Sequence, residues 1–193
     1  MRKLIVCNII SLDGFFSGPR GNVMAMPFDH GFSEYNAERL RAADTLLLGR
    51  KSYEGFRSYW PAIAEDLNQP AIEREISRLN AAIEKVVISN SLTADEVEGW
   101  GPTRIVPRAN AYSEVTALKQ RRGREILIFG SHVLWNHLLA NGLVDELHLM
   151  IGAGVVGEGM RAFEMRPPGP LRLLNTRSFG GSSLLLAQYA VER

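Results

Sequence analysis

Short apolar runs alternate along the chain with stretches in which apolar residues recur every three or four positions. The run from Leu4 to Ile10 is too short for a core helix and is bounded by turn residues, so it predicts a buried strand. The stripe of Phe32, Tyr35 and Leu40 predicts a helix that begins near Gly31. Further strands are predicted at 45–48, 86–88, 104–106, 126–129 and 146–151, and further helical segments at 52–57, from 70 onward, between 110 and 123, and from 131 to 141.

The end of the chain follows a different pattern. Two apolar segments, Leu171 to Leu174 onward and Leu184 to Val191, flank Gly180-Gly181-Ser182 and predict a β-hairpin. Strand–helix alternation followed by a hairpin predicts an α/β fold, with a mostly parallel central sheet, helices on both faces and an antiparallel C-terminal hairpin. We expect a single domain over 1–193, a long loop from Ser11 to Pro27, and an exposed apolar edge at Leu184 to Val191.

The composition of the chain excludes some classes of binding partner. Of the 193 residues 46% are hydrophobic, and 22 basic and 21 acidic side chains leave a formal net charge of +1. The apolar residues are enough to fill a core. A net charge this small does not attract nucleic acid electrostatically. No apolar run approaches the roughly 20 residues of a membrane helix. The single Cys7 excludes an internal disulfide, and the histidines lack metal-ligand spacing. We therefore expect a cytoplasmic protein that acts on a small molecule and holds no metal.

Three predicted strands end in glycine or small polar residues, at the positions where parallel sheets bind ligands. Gly49-Arg50-Lys51-Ser52 joins a strand to a helix, and it offers backbone N–H groups, positive charge and a hydroxyl to a phosphate. Gly130-Ser131-His132 is a second candidate of the same kind, and Ser89-Asn90 offers polar groups to a ribose phosphate. Each also has a plainer interpretation, as a solvated joint, an ordinary N-cap or a turn.

Motifs that span nearly the whole chain in order resemble one family. They are Ser11 to Gly14, Asp44 to Glu54, Tyr59-Trp60-Pro61, Lys85 to Ser89, Gly142 to Leu147, and Gly157-Glu158-Gly159 followed by Phe163. The chain resembles the dihydrofolate reductase superfamily, and within it the bacterial branch related to the C-terminal reductase domain of the bifunctional riboflavin-biosynthesis deaminase/reductase. The resemblance implies a dihydrofolate-reductase-like three-layer fold, an NADPH-dependent reductase and a homodimer. Because the sequence lacks the zinc deaminase signature, the implied activity is that of the reductase alone.

The resemblance also assigns residues to roles. The cofactor-binding residues that it implies are Gly49, Arg50, Lys51, Ser52, Ser89, Asn90, Gly130, Ser131 and His132, with Arg50 and Ser89-Asn90 at the adenosine 2′-phosphate. Asp13 would lie near the nicotinamide and the substrate. Asp29 is the rival catalytic acid, since Pro27-Phe28-Asp29 is similar to the stretch that carries the acid of dihydrofolate reductases. The implied pocket wall is Tyr53, Phe56 and Trp60, and the plainer role for either aspartate is to stabilise a turn.

Three positions depart from the family pattern. Ser131 replaces the second glycine of a glycine pair, His132 stands where the riboflavin enzymes often carry an acid, and Ala153 replaces a proline. We therefore expect an NADPH-dependent reductase of a small heteroaromatic or carbonyl compound, similar to 5-amino-6-(5-phosphoribosylamino)uracil reductase. The alternative is a non-catalytic small-molecule or nucleotide-binding protein that retains the fold.

Overall fold

The computed structural model describes residues 1–192. The strands are β1 Leu4–Ile10, β2 Phe15–Ser17, β3 Ala43–Gly49, β4 Glu84–Ile88, β5 Thr103–Val106, β6 Glu125–Phe129, β7 Glu146–Ile151, β8 Met160–Arg161, β9 Leu171–Ser178 and β10 Leu185–Val191. The α-helices are α1 His30–Ala42, α2 Arg50–Ile63, α3 Ala71–Ala82, α4 Ala111–Gln120 and α5 His132–Ala140. No helix within these residues is long and apolar enough to cross a membrane.

Eight of the strands form one sheet in the order β5-β4-β3-β6-β1-β7-β10-β9. The strands from β5 to β7 are parallel, and β10 and β9 are antiparallel. Every residue of β1 is buried, because helices cover both faces of the sheet. Side chains of α1, α2 and α3 pack in the core on one face, and those of α4 and α5 pack on the other. The predicted α/β architecture is confirmed.

The segment 11–27 has more structure than the predicted loop. Phe15–Ser17 pairs as an antiparallel strand with Met160–Arg161, and two short 3-10 turns follow at 19–21 and 23–25. A three-residue strand is too short to show a recognisable period in the sequence. Its pairing joins the first loop to the loop after β7, so these two segments form one structure.

Helix α2 is longer than the predicted segment 52–57 and continues through Pro61 to Ile63. Proline removes one backbone donor and is expected to end a helix. Here the apolar face of the helix continues past it, since Ile63 is buried and Trp60 packs against the core. The Ser77 hydroxyl donates to the carbonyl oxygen of Trp60 at 2.5 Å, which ties this last turn to α3. Tertiary packing therefore outweighs the local effect of the proline.

The exposed edge of the sheet is not where the sequence predicted it. Leu185–Val191 pairs on both sides, with β7 and with β9, so it is an inner strand. The edge is Leu171–Ser178, in which Leu173 and Leu174 are 52% and 42% exposed. The predicted hairpin is confirmed, and its second strand is the one that pairs with β7. The first strand, β9, is therefore an edge strand of the sheet.

Candidate functional site

The carboxyl ends of four neighbouring parallel strands form one edge of the sheet. In the order β4-β3-β6-β1, these strands lead into Ser89, Gly49, Gly130 and Ser11. Each of these four positions precedes a turn or a helix, and ligands of open α/β sheets bind at such an edge. The topology therefore brings together segments that lie up to 119 residues apart in sequence, from Ser11 to Gly130.

Two serine hydroxyls join the β3–α2 segment to the end of β6. The Gly49 N–H donates to Ser131 Oγ at 3.0 Å, and the Ser131 N–H donates to Ser52 Oγ at 2.8 Å. Ser131 has a φ of 52°, in the left-handed region, and its side chain does not cap α5. The expectation that Ser131 caps this helix is therefore wrong, because its hydroxyl is engaged across the sheet.

Asn8 is a site residue that the sequence analysis missed. Its buried amide lies within β1, where Oδ1 accepts from the Gly130 N–H at 2.6 Å and Nδ2 donates to the Gly130 carbonyl oxygen at 3.3 Å. These bonds hold Gly130 at a φ of 59°, next to the left-handed Ser131. A lone polar residue within an otherwise apolar strand was the available signal, since a buried amide needs partners.

Two helices begin at this edge without a side-chain cap among the described residues. Helix α2 starts after Gly49 and α5 after Ser131. The first N–H groups of a helix have no partner within the helix, and the helix dipole adds partial positive charge at the same place. Because β3 and β6 are neighbours, the two helix starts lie side by side. The arrangement suits an anion with two linked phosphates.

Arg50 reaches from the start of α2 to the end of β4. Its Nη1 donates to Ser91 Oγ at 2.7 Å, and its Nε donates to Glu54 Oε1 at 2.6 Å. Ser89, one of the residues predicted to meet the 2′-phosphate, is hydrogen-bonded within its own turn. Its Oγ accepts from the N–H groups of Ser91 and Leu92.

Asn90 lies in the same turn but faces another segment. Its Oδ1 accepts from the Arg108 N–H at 2.8 Å. The ends of β3 and β4 therefore meet as expected, but the hydroxyl that contacts Arg50 belongs to Ser91, which the residue assignment omitted.

Asp13 stabilises the contact between two loops. Its carboxylate accepts from the Ser11 hydroxyl at 2.6 Å, and from the N–H groups of Val156 and Gly157 at 3.1 and 2.8 Å. The hydrogen bonds from Ser11 and then Gly157 outweigh the effect of burial and lower the pKa of Asp13 to about 2. Asp13 is therefore ionised at neutral pH, and its carboxylate joins the turn after β1 to the loop after β7.

Asp29 joins the start of α1 to the β9–β10 turn. Its carboxylate accepts from the Gly31 N–H at 2.9 Å as the N-cap, from the Ser182 hydroxyl at 2.9 Å and from the Ser183 N–H at 3.0 Å. Burial acts to raise the pKa of Asp29, but the hydrogen bonds from Ser183, Ser182 and Gly31 together lower it. Like Asp13, this residue has no proton to give at neutral pH.

His132 and Lys51, both predicted to bind the cofactor, differ in burial. The His132 imidazole is buried, and its Nε2 contacts the carbonyl oxygens of Arg161 and Ala162 at 2.7 and 3.1 Å. That side chain is directed at the β8 segment, so only its main chain belongs to the start of α5. Lys51 is exposed in the first turn of α2.

The three aromatic residues of the expected pocket wall are not equivalent. Tyr53 is completely buried, packs against the Trp100 ring and donates to the Val97 carbonyl oxygen, so it belongs to the core. Phe56 and Trp60 are half-buried on the next turns of α2, with ring centroids 6.4 Å apart. Phe56 also lies 6.5 Å from the ring of Phe129, at the end of β6. Phe56 and Trp60 are therefore the predicted wall residues that stay partly exposed, and Phe56 lies beside the end of β6.

Known proteins are similar in sequence to nearly the whole chain. The family model of the RibD C-terminal domain matches residues 2–185. The uncharacterized protein YyaP of Bacillus subtilis (strain 168) is 34% identical over 181 residues, which are 92% of this chain and 89% of YyaP.

Two solved structures show the fold. A diaminohydroxyphosphoribosylaminopyrimidine deaminase/5-amino-6-(5-phosphoribosylamino)uracil reductase from Thermotoga maritima has a TM-score of 0.69 at 12% identity, covering 98% of this chain and 56% of that one. Dihydrofolate reductase from Enterococcus faecalis, complexed with NADP(H), has a TM-score of 0.64 at 13% identity, covering 99% and 97%.

Proposed function

This chain belongs to the family of the RibD C-terminal domain, and on that premise we propose that it is an NADPH-dependent reductase of a small heteroaromatic or carbonyl compound. The observation that carries the proposal is the pair of helix starts at Gly49 and Ser131, joined by the Ser131 hydroxyl. The reductase named in the Thermotoga maritima structure and the NADP(H) of the dihydrofolate reductase structure support it.

The donors of the edge fit the phosphates of a nicotinamide cofactor. First-turn N–H groups of α2 and α5 would hold the pyrophosphate, with Ser52 and Ser131 fixing the two backbones. Arg50 would meet the adenosine 2′-phosphate, because a guanidinium pairs with a phosphate through two parallel hydrogen bonds. When bound, the cofactor supplies the hydride, and the protein orients it against the substrate.

The substrate would lie against Phe56 and Trp60, where a flat ring can stack on an aromatic surface. The described residues offer no neutral carboxylic acid at Asp13 or Asp29, since hydrogen bonds lower both pKa values. The proton that accompanies hydride transfer would therefore come from water. The same fact favours the second candidate function, a non-catalytic small-molecule or nucleotide-binding protein.

Titration with NADPH separates these possibilities. We expect quenching of tryptophan fluorescence at micromolar NADPH, because the half-buried Trp60 packs against Phe56, whose ring lies 6.5 Å from that of Phe129 at the end of β6. Arg50→Ala should weaken NADPH binding roughly 10-fold or more and leave NADH binding within about twofold. Equal weakening of both cofactors would assign Arg50 to the shared pyrophosphate. Absence of NADPH binding at millimolar concentration would refute the reductase.

We also propose a homodimer that forms through β9. Both faces of this edge strand are exposed, its backbone is unpaired on one side, and it carries Leu173 and Leu174. Sedimentation equilibrium should give twice the 21.5 kDa chain mass, and Leu173→Lys should shift the protein towards the monomer. A wild-type monomer at micromolar concentration would contradict the proposal.

A further inference from the structure

The guanidinium proposed to meet the 2′-phosphate already has an anionic partner. Arg50 and Glu54 lie one helical turn apart on α2, and their Nε and Oε1 atoms are 2.6 Å apart. The Ser91 hydroxyl accepts from Nη1 on the other side. Both side chains of the pair are about 40% exposed, at 40% for Arg50 and 43% for Glu54, so a ligand can reach them.

A second carboxylate adds negative charge at the same place. Glu96 accepts from the N–H and the hydroxyl of Thr93, at 2.7 and 2.9 Å, and these hydrogen bonds lower its pKa, with smaller effects of Arg50 and Arg57 in the same direction. A surface hollow beside α2 is lined by Tyr53, Glu54, Arg57, Ser58, Leu92 and Glu96. Arg50 therefore lies among carboxylates and a second arginine, and nearby negative charge partly balances its own positive charge.

We propose that Glu54 determines cofactor specificity, because its carboxylate competes with the 2′-phosphate of NADPH for the Arg50 guanidinium. The proposal rests on the proposed function. The guanidinium has five N–H donors, and Glu54 and Ser91 occupy one at Nε and one at Nη1. A phosphate that binds through Nε and Nη2 must displace Glu54, and a phosphate that binds through the two Nη atoms lies beside a like charge. NADH carries a hydroxyl in place of this phosphate and meets neither cost. Glu54 thus reduces the preference for NADPH that Arg50 provides.

Glu54→Gln tests the proposal, since glutamine keeps the shape of the side chain and an oxygen for Nε but removes the charge. We expect the Kd for NADPH to fall about two- to tenfold, while the Kd for NADH changes less than twofold. The matched control is Glu98→Gln, which removes one negative charge from the neighbouring exposed loop, where Arg57 contacts the carbonyl oxygen of Glu98. The control should leave the ratio of the two Kd values unchanged.

The outcomes are distinct. If wild-type protein binds NADPH but Glu54→Gln leaves that Kd unchanged or raises it, then Glu54 does not compete, and only this inference is overturned. If Glu98→Gln changes the ratio as much as Glu54→Gln does, the effect is one of overall charge, and the inference is also overturned. If wild-type protein binds neither cofactor, the proposed function falls, and this inference falls with it.

Discussion

Replacement of Asp29 by alanine removes the hydrogen bonds from Gly31, Ser182 and Ser183 that hold the start of α1 and the β9–β10 turn together. Loss of an N-cap costs about 1 kcal/mol, and the bonds from Ser182 and Ser183 add about 1 kcal/mol each at a partly exposed site. The free energy of unfolding should fall by about 2–4 kcal/mol. For a chain of this length, this corresponds to a decrease in Tm of roughly 5–12 °C at pH 7.

The effect should depend on pH with a definite sign. The folded pKa of Asp29 is lowered below its unfolded value, so its stabilisation is fully present above the unfolded pKa of about 4 and is lost as pH falls through the folded pKa. Differential scanning calorimetry of wild type and Asp29→Ala between pH 7 and pH 2.5 should show the Tm difference shrinking in acid. Asp29→Asn is the matched control, because asparagine also caps helices but carries no charge.

Two results would refute this reasoning. The first is that Asp29→Ala melts within about 1 °C of wild type at pH 7, which would mean that water replaces these hydrogen bonds without loss. Alternatively, the Tm difference between wild type and Asp29→Ala could persist undiminished at pH 2.5. The ionised carboxylate would then not be the stabilising species.

Further substitutions and a labelling reaction test other parts of the structure. Gly101→Ala should lower the free energy of unfolding by about 3 kcal/mol or more in urea denaturation, because φ is +65° and the new Cβ would clash with the carbonyl oxygen of Ala81; Gly99→Ala, with φ +83° and open space, should cost only about 1–2 kcal/mol. Asn8→Ala should cost about 1–3 kcal/mol and weaken NADPH binding, since Gly130 loses both bonds that hold its backbone; unchanged binding by fluorescence would refute its role. Burial raises the pKa of the Cys7 thiol, so a thiol reagent should label it only as the protein unfolds, and immediate labelling of native protein would contradict this.

The fold could be predicted because its strands are short buried runs and the hairpin has a glycine turn. Pairing order could not, because the sequence does not state which hairpin strand meets β7. The apolar character of Leu184 to Val191 indicated burial, and burial is what the structure shows for an inner strand. The predicted exposed edge is wrong because Leu171–Ser178 pairs with this strand on the side away from β7.

The site was predictable as a set of strand ends, but its side-chain contacts were not. Gly49, Ser89 and Gly130 come together because parallel strands end at the same edge. Whether the hydroxyl of Ser131 caps its own helix or bonds to Gly49 depends on a backbone φ of 52°, which no residue spacing encodes. The burial of Tyr53 depends in the same way on the position of Trp100, 47 residues further along the chain.

The bond between Ser131 and Gly49 would lower the entropic cost of binding the proposed cofactor. Two glycine-containing turns that moved independently would each have to be ordered when a ligand arrived, and that ordering would subtract from the affinity. Here the chain has already lost this freedom on folding, because the hydroxyls of Ser131 and Ser52 hold the β3–α2 segment to the end of β6. Under the proposed function, a serine in place of a second glycine exchanges room for the phosphate for rigidity before the phosphate binds.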